Sequence, residues 1–171
     1  MQNASKDCNE EWRPVVGAES WYEVSSLGGV RRAKRGNRTH VGRALKPGNI
    51  RGYPKVVLSL GGQLLVSKLV HCLVAEAFLG PRPSGHEINH LDGDKGRAHA
   101  NNLEYVTPAE NMRHAYKMGL RQGCGKLTVT KVNEMRQAGA TTSRYELAAT
   151  YDVSPDTVRR ILNHTKWAWL P

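Results

Sequence analysis

What this chain lacks narrows its function before any motif is considered. No run of 18 apolar residues occurs, so no helix of the length a bilayer demands is expected. No basic segment carries a wide apolar face over several turns either, which argues against a membrane surface as partner. The first eleven residues are polar, without the apolar stretch of a secretory signal, so the expected location is cytoplasmic. The three cysteines, Cys8, Cys72 and Cys124, form no C-x-x-C pair and are odd in number. Neither a disulfide framework nor a zinc ribbon is indicated, and they read as reduced thiols. Phe occurs once, beside four Trp and six Tyr, which leaves few rings for stacking the bases of a single strand. Acidic charge is also scarce: 15 Asp and Glu face 25 Lys and Arg, a net charge of +10. That balance favours a polyanionic partner, nucleic acid above all. With 171 residues the chain holds one compact core of roughly 100 residues plus small appended modules.

Residues 12–65 alternate short β-type runs with glycine: Trp-Tyr-Glu-Val-Ser at 21–25, Gly28-Gly29, Tyr-Pro-Lys-Val-Val-Leu-Ser-Leu at 53–60, then Gly61-Gly62. The pattern predicts hairpins, with 53–60 and 63–66 flanking a two-glycine turn as one antiparallel pair. Within 30–46 lie Arg31, Arg32, Lys34, Arg35, Arg38, Arg43 and Lys46 and no acidic residue. Charge of one sign at that density marks a solvated loop or a surface that tracks phosphates. The interspersed Gly, Asn, Thr and His favour a flexible arm laid along a groove.

Further on, Val-His-Cys-Leu-Val-Ala-Glu-Ala-Phe (70–78) has apolar residues at helical spacing and Gly80-Pro81 as a stop, which predicts a short core helix. His71, at its start, reads as packed or capping. A loop rich in Gly, Asp and Asn covers 81–103 and gives way to Thr107-Pro108-Ala109-Glu110. Cap, first-position proline and Glu at the third position predict a helix to about Met118, with Gly119 just past its end. Residues 128–138 are helix-like and end at Gly139. Ser143-Arg144-Tyr145-Glu146 is a capping box for a helix through Thr150, and Ser154-Pro155 opens another to about His164. Helix, short turn and helix resemble a helix-turn-helix, whose second helix carries Asp156, Thr157, Arg159, Arg160 and Asn163 on its polar side. Trp167-Ala168-Trp169 is expected to pack against that last helix.

The segments I-N-H-L-D-G-D-K (88–95) and N-N-L-E-Y-V-T-P-A-E-N-M-R-H-A (101–115) resemble the HNH endonucleases, in particular their phage and intron-associated homing branch. The likeness extends to V-H-C-L-V-A-E-A-F (70–78). It continues through W-R-P-V-V-G (12–17) and Y-E-V-S-S-L-G-G-V-R (22–31), which look like the β-rich, NUMOD4-like module often joined to such nucleases. The resemblance implies an α+β architecture in three modules. These are a β-rich basic DNA-binding module at 1–50, a ββα-metal nuclease core at 51–120 and a helix-turn-helix DNA-binding module at 121–171.

It also implies roles. Hydrolysis of a phosphodiester needs a base for water, a Lewis acid at the phosphate and a route for charge to the leaving oxygen. His90 is the expected general base, since neutral imidazole accepts a proton near physiological pH. Asn102 corresponds to the central Asn that ties the loop together and orients the base. Asn89 and Asn111 are the expected ligands of a divalent cation, Mg²⁺ or Mn²⁺, with His114 one turn beyond Asn111 as a further ligand or phosphate contact. Members of this family often carry Asp or His where Asn89 stands, and two neutral amide oxygens bind a hard cation weakly, so DNA phosphate and water are expected to complete the shell. Asp92 and Asp94 either add charge to the site or make the D-G-D turn, and the turn is favoured.

The expected partner is double-stranded DNA, contacted by Arg31, Arg32, Lys34, Arg35, Arg38, Lys95, Arg97, Thr157, Arg159 and Arg160. The chain is expected to act as a monomer on DNA, nicking one strand, with a dimer needed to cut both, in the cytoplasm of a phage's host. Two alternatives stay open on sequence alone: a non-catalytic DNA-binding regulator, and an HNH nuclease associated with phage packaging.

Overall fold

The computed structural model describes residues 10–36, 39–61, 64–120 and 127–170. It is a mixed α+β fold of eight short strands and five helices among those residues, which divides into two compact units, 1–108 and 109–171.

The first unit is built on three antiparallel sheets. β1 (Trp12–Pro14), β2 (Tyr22–Ser25) and β3 (Val30–Arg32) form one meander; β4 (Gly48–Ile50), β5 (Tyr53–Ser59) and β6 (Leu65–Leu69) form a second; β7 (Glu87–His90) and β8 (Leu103–Val106) pair as a ribbon. The hairpin expected around Gly28-Gly29 is present, and the strand after Tyr53 pairs antiparallel with the one that follows, Ser59 opposite Leu65; Gly62 and Gln63 of the expected turn and strand lie outside the described residues. β6 runs straight into α1 (Val70–Phe78), which spans the residues expected of it and stops before Gly80 at φ +89°. Arg13 donates to the Ala77 carbonyl at 3.1 Å, placing a cation at the negative end of that helix.

One hydrophobic core joins all three sheets. Val24 and Val30 from the first meander, Val56 and Leu58 from the second, Leu73, Val74 and Ala75 from α1 and Leu103 from β8 are packed together with almost no exposure. Each such Val or Leu contributes about 1.5–3 kcal/mol by leaving water. Tyr22 adds a polar tie, since its hydroxyl accepts from the Ser59 amide at 2.9 Å across the two meanders. The N-terminal segment is also fastened to the loop ahead of β8. The Ala100 amide donates to the Ser26 carbonyl at 2.8 Å, and Gly28, at φ +85°, lies where a Cβ would meet the Ala98 carbonyl at 3.1 Å.

The basic stretch is not a free arm. After β3 it turns back on itself through bridges pairing Arg31 with Ala44 and Gly36 with Thr39, and the Leu45 amide donates to the Val30 carbonyl at 2.8 Å. Backbone pairing at both ends overrides the flexibility that its composition suggests. Arg38 lies outside the described residues.

In the second unit, α2 (Pro108–Lys117) begins at the expected proline and is followed by Gly119 at φ +68°. α3 (Val129–Ala138), α4 (Arg144–Thr150) and α5 (Pro155–Leu162) open on Thr128, Ser143 and Ser154, each side chain accepting from an amide three residues on. The capping box at Ser143 and Glu146 is complete. Val132, Met135, Leu147, Val158 and Ile161 form this unit's core, with Trp167 and Trp169 packed against it. Arg136 fixes the chain end by donating to the carbonyls of Ile161, Trp167 and Leu170.

Candidate active site

The β7–β8 ribbon brings the chemistry-bearing residues together in the first unit. Its register sets Asn89 opposite Glu104 and His90 opposite Leu103. Because side chains alternate across a strand, Ile88, His90, Leu103 and Tyr105 share the face turned to the core, and Asn89 and Glu104 share the other.

His90 is therefore buried, at 5% exposure, against two other rings. Its ring centroid lies 5.2 Å from that of His71 and 5.9 Å from that of Tyr53, and those two are 4.9 Å apart. The Nε2 of His90 and the Nδ1 of His71 are buried without a hydrogen-bond partner. An orphaned buried polar atom costs about 1–3 kcal/mol, and sites that keep one are candidates for chemistry. Burial lowers the pKa of His90 below the usual imidazole value, partly offset by the nearby carboxylates of Asp92 and Asp94. Burial also lowers that of His71, to about 4. Both rings are thus neutral near pH 7, the form in which an imidazole can take up a proton.

The loop from 91 to 102 is held by Asn102. Its Nδ2 donates to Asp92 Oδ1 and to the Arg97 carbonyl, both at 2.9 Å, and its Oδ1 accepts from the Asp92 amide at 3.1 Å. The Leu91 amide donates to its carbonyl at 2.8 Å. Asp92 and Asp94 are turn residues: Asp92 accepts from the Asp94 amide, and Asp94 from that of Gly96. Asp92 also pairs with Arg97 at 2.8 Å. Its carboxyl is held below the usual carboxylate range, by the Asn102 amide first and then by the Asp94 amide. Lys95, on the same loop, lies over the Tyr53 ring at 5.0 Å.

Asn89, 5% exposed, donates through Nδ2 to Glu104 Oε1 at 2.8 Å. Asn111 and His114 lie three residues apart on α2, in the second unit. Within the first unit, the Asn89 amide oxygen with the Glu104 carboxylate beside it is the donor type a hard divalent cation takes. Among the described residues no cluster of three His, Cys, Asp or Glu side chains could hold a metal unaided.

The expected DNA contacts are scattered and several are already engaged. Arg31 pairs with Glu23 at 2.7 Å and lies over the Trp12 ring; Arg32 lies over Tyr22 and Lys34 over Trp21. Arg35 is exposed in the loop after β3. Arg159 and Arg160 both pair with Asp156, and Thr157 completes the Ser154 cap. The sequence reading missed Tyr53, Glu104 and Lys55, and it set His71 aside as packing. Lys55 lines a cleft of about 440 Å³ with Arg32, Arg43 and Lys46. Only the strand register reveals Glu104; a His at a helix start followed by an N-H pair was the available hint for His71.

Residues 68–113 match the profile of the HNH endonuclease family, and residues 10–59 match the NUMOD4 motif. The chain carries an HNH endonuclease domain. Among its relatives is the SPbeta prophage-derived protein YosQ of Bacillus subtilis, which bears the name HNH homing endonuclease. It is 37% identical over 110 residues, 60% of this chain and 64% of YosQ. The DNA endonuclease I-HmuI of Bacillus phage SP01 is 32% identical over 109 residues, 64% of this chain and 59% of its own length. The chain thus spans less than two thirds of the length of either relative. The solved structure of I-HmuI, described as showing DNA binding and cleavage, superposes with a TM-score of 0.56 over 90% of each chain at 23% identity, so the fold is shared. Among the described residues no helix is long and apolar enough to cross a membrane.

Proposed function

We propose that this chain is a metal-dependent DNA endonuclease of the homing type that nicks one strand at a specific double-stranded site. The observation that carries the reading is His90: a buried, neutral imidazole with an unpartnered Nε2, set at the end of β7 inside the HNH-matching segment. In this reading His90 Nε2 takes the proton of the attacking water. Tyr53 and His71 fix its ring by packing, and Asn102 fixes the loop that follows it. Asn89 and Asn111 offer amide oxygens to Mg²⁺ or Mn²⁺, with His114 as a further ligand or phosphate contact. When bound, the cation supplies Lewis acidity at the scissile phosphate.

The functional division is 1–50 for basic DNA contact, 51–120 for cutting and 121–171 for a helix-turn-helix formed by α4 and α5. Arg31, Arg32, Lys34, Arg35, Lys95, Arg97, Thr157, Arg159 and Arg160 contribute phosphate or base contacts, so affinity falls steeply with salt. One site per chain means one strand per binding event, with the chain acting as a monomer in the cytoplasm of a phage's host.

Supercoiled plasmid carrying candidate phage genes, incubated with Mg²⁺, Mn²⁺ or EDTA, tests this directly. The expected result is metal-dependent conversion to open circles by the wild type, reduced at least a hundredfold in His90→Ala. Binding without cleavage in either metal would refute the nuclease reading and leave a DNA-binding regulator.

A further inference from the structure

The Asn at 89 poses a question that Glu104 answers. An Asn amide can present either its oxygen or its nitrogen to a neighbour, and only the oxygen can hold a hard cation. Asn89 is buried at 5% exposure, and its Nδ2 is committed to Glu104 Oε1 at 2.8 Å, directly across the ladder. Among the described residues neither side chain has another hydrogen bond or ion pair, so the pair is a unit. The amide is planar, with its two heteroatoms on opposite sides of Cγ. Anchoring the nitrogen on the carboxylate therefore turns Oδ1 away from it. A charged acceptor on the N–H also polarises the amide and builds negative charge on that oxygen.

We propose that Glu104 is a positioning residue for the cation site: it fixes the Asn89 amide with Oδ1 outward and supplies, through the amide, the negative charge that Asn89 lacks. The idea rests on the metal reading of Asn89 given above. It explains why a neutral residue stands at 89. An Asp there would set a second carboxylate within hydrogen-bond distance of Glu104, and two like charges so close cannot both stay ionised without cost. Asn89 and Glu104 together do the work of one carboxylate. Ligand-orienting partners of this kind typically change metal affinity by about 10–100-fold when lost.

The test is a titration of Mn²⁺ into the full chain bound to duplex DNA. Free Mn²⁺ is read by electron paramagnetic resonance, the same duplex alone is the blank, and far-UV circular dichroism checks the fold of every variant. Glu104→Ala is expected to weaken Mn²⁺ binding about tenfold. Glu104→Gln, which keeps an acceptor oxygen but no charge, should fall between it and the wild type. Asn89→Asp alone should bind no tighter than the wild type. Asn89→Asp with Glu104→Gln, where the new amide donates to the new carboxylate, should bind at least as tightly as the wild type.

The proposal is overturned if Glu104→Ala and Glu104→Gln both stay within twofold of the wild type. It is equally overturned if Asn89→Asp alone binds as tightly as the double variant. Asn89→Ala separates the two readings. If it weakens Mn²⁺ binding while the Glu104 variants do not, the metal site stands and the role of Glu104 falls. If it leaves binding unchanged, both fall together.

Discussion

Lowering the pH from 7 to 5 should destabilise the first unit, with His71 making the largest contribution and the buried His90 acting in the same direction. In the folded chain burial holds the pKa of His71 at about 4, against an ordinary value of 6.5. Between those values the unfolded chain binds a proton that the folded chain refuses, so stability falls as pH drops through 6.5 and the loss is complete below about 4. Working the two binding curves through gives a loss of roughly 2 kcal/mol between pH 7 and pH 5. The side chain is only 7% exposed, so solvent screening takes little from this figure. With a urea dependence of about 1–3 kcal/mol per molar, the midpoint should move by roughly 1 M. Because the protein has two compact units, the readout has to be local. Hydrogen exchange of the α1 amides, followed against urea at both pH values, reports the unit that holds His71. His71→Phe keeps a ring against Tyr53 and His90 but cannot charge, so its pH-dependent loss should shrink by about that 2 kcal/mol. Equal losses in the wild type and in His71→Phe would refute the assignment.

The sequence discloses local structure well and juxtaposition poorly. Helix starts are legible because capping is local chemistry: the Thr107-Pro108, Ser143 and Ser154-Pro155 signatures all open helices where expected. α1 is legible because one apolar stripe followed by Gly80 leaves little choice. The basic stretch at 30–46 misleads because composition reports solvation, whereas long-range backbone pairing between its ends decides its shape. Gly139 was expected only as a helix stop. It sits at φ −62°, and its lack of a side chain makes room for Leu162. In the candidate site, His90 and Asn102 are legible because the motif around them is contiguous. The partners of that motif are not. His71 is 19 positions from His90, and Glu104 meets Asn89 only once the β7–β8 register is known.

Three further outcomes follow from particular contacts. Asn102→Ala strands the Asp92 amide and the Arg97 carbonyl inside the 91–102 loop. It should cost about 1–3 kcal/mol in denaturant melts, with loss of loop amide protection preceding global unfolding; an unchanged loop would sink this account. Gly139→Ala drives a methyl group into Leu162 and the Met135 carbonyl. It should destabilise the second unit by about 1–3 kcal/mol, read as earlier exchange of α3 and α5 amides while α1 is unmoved. The last concerns Asp156, which holds both Arg159 and Arg160 at 2.6 and 2.8 Å on the exposed side of α5. Exposed pairs of this kind add little stability, so Asp156→Asn should leave the melting curve nearly unchanged. If α5 contacts DNA, the same carboxylate competes with phosphate for two guanidinium groups. Releasing them should tighten binding to duplex DNA and steepen the salt dependence by roughly one unit for each phosphate gained. Fluorescence anisotropy against salt concentration measures both quantities. A variant with wild-type affinity and slope would mean that α5 does not face DNA through these arginines, and that the C-terminal unit recognises DNA through another surface or not at all.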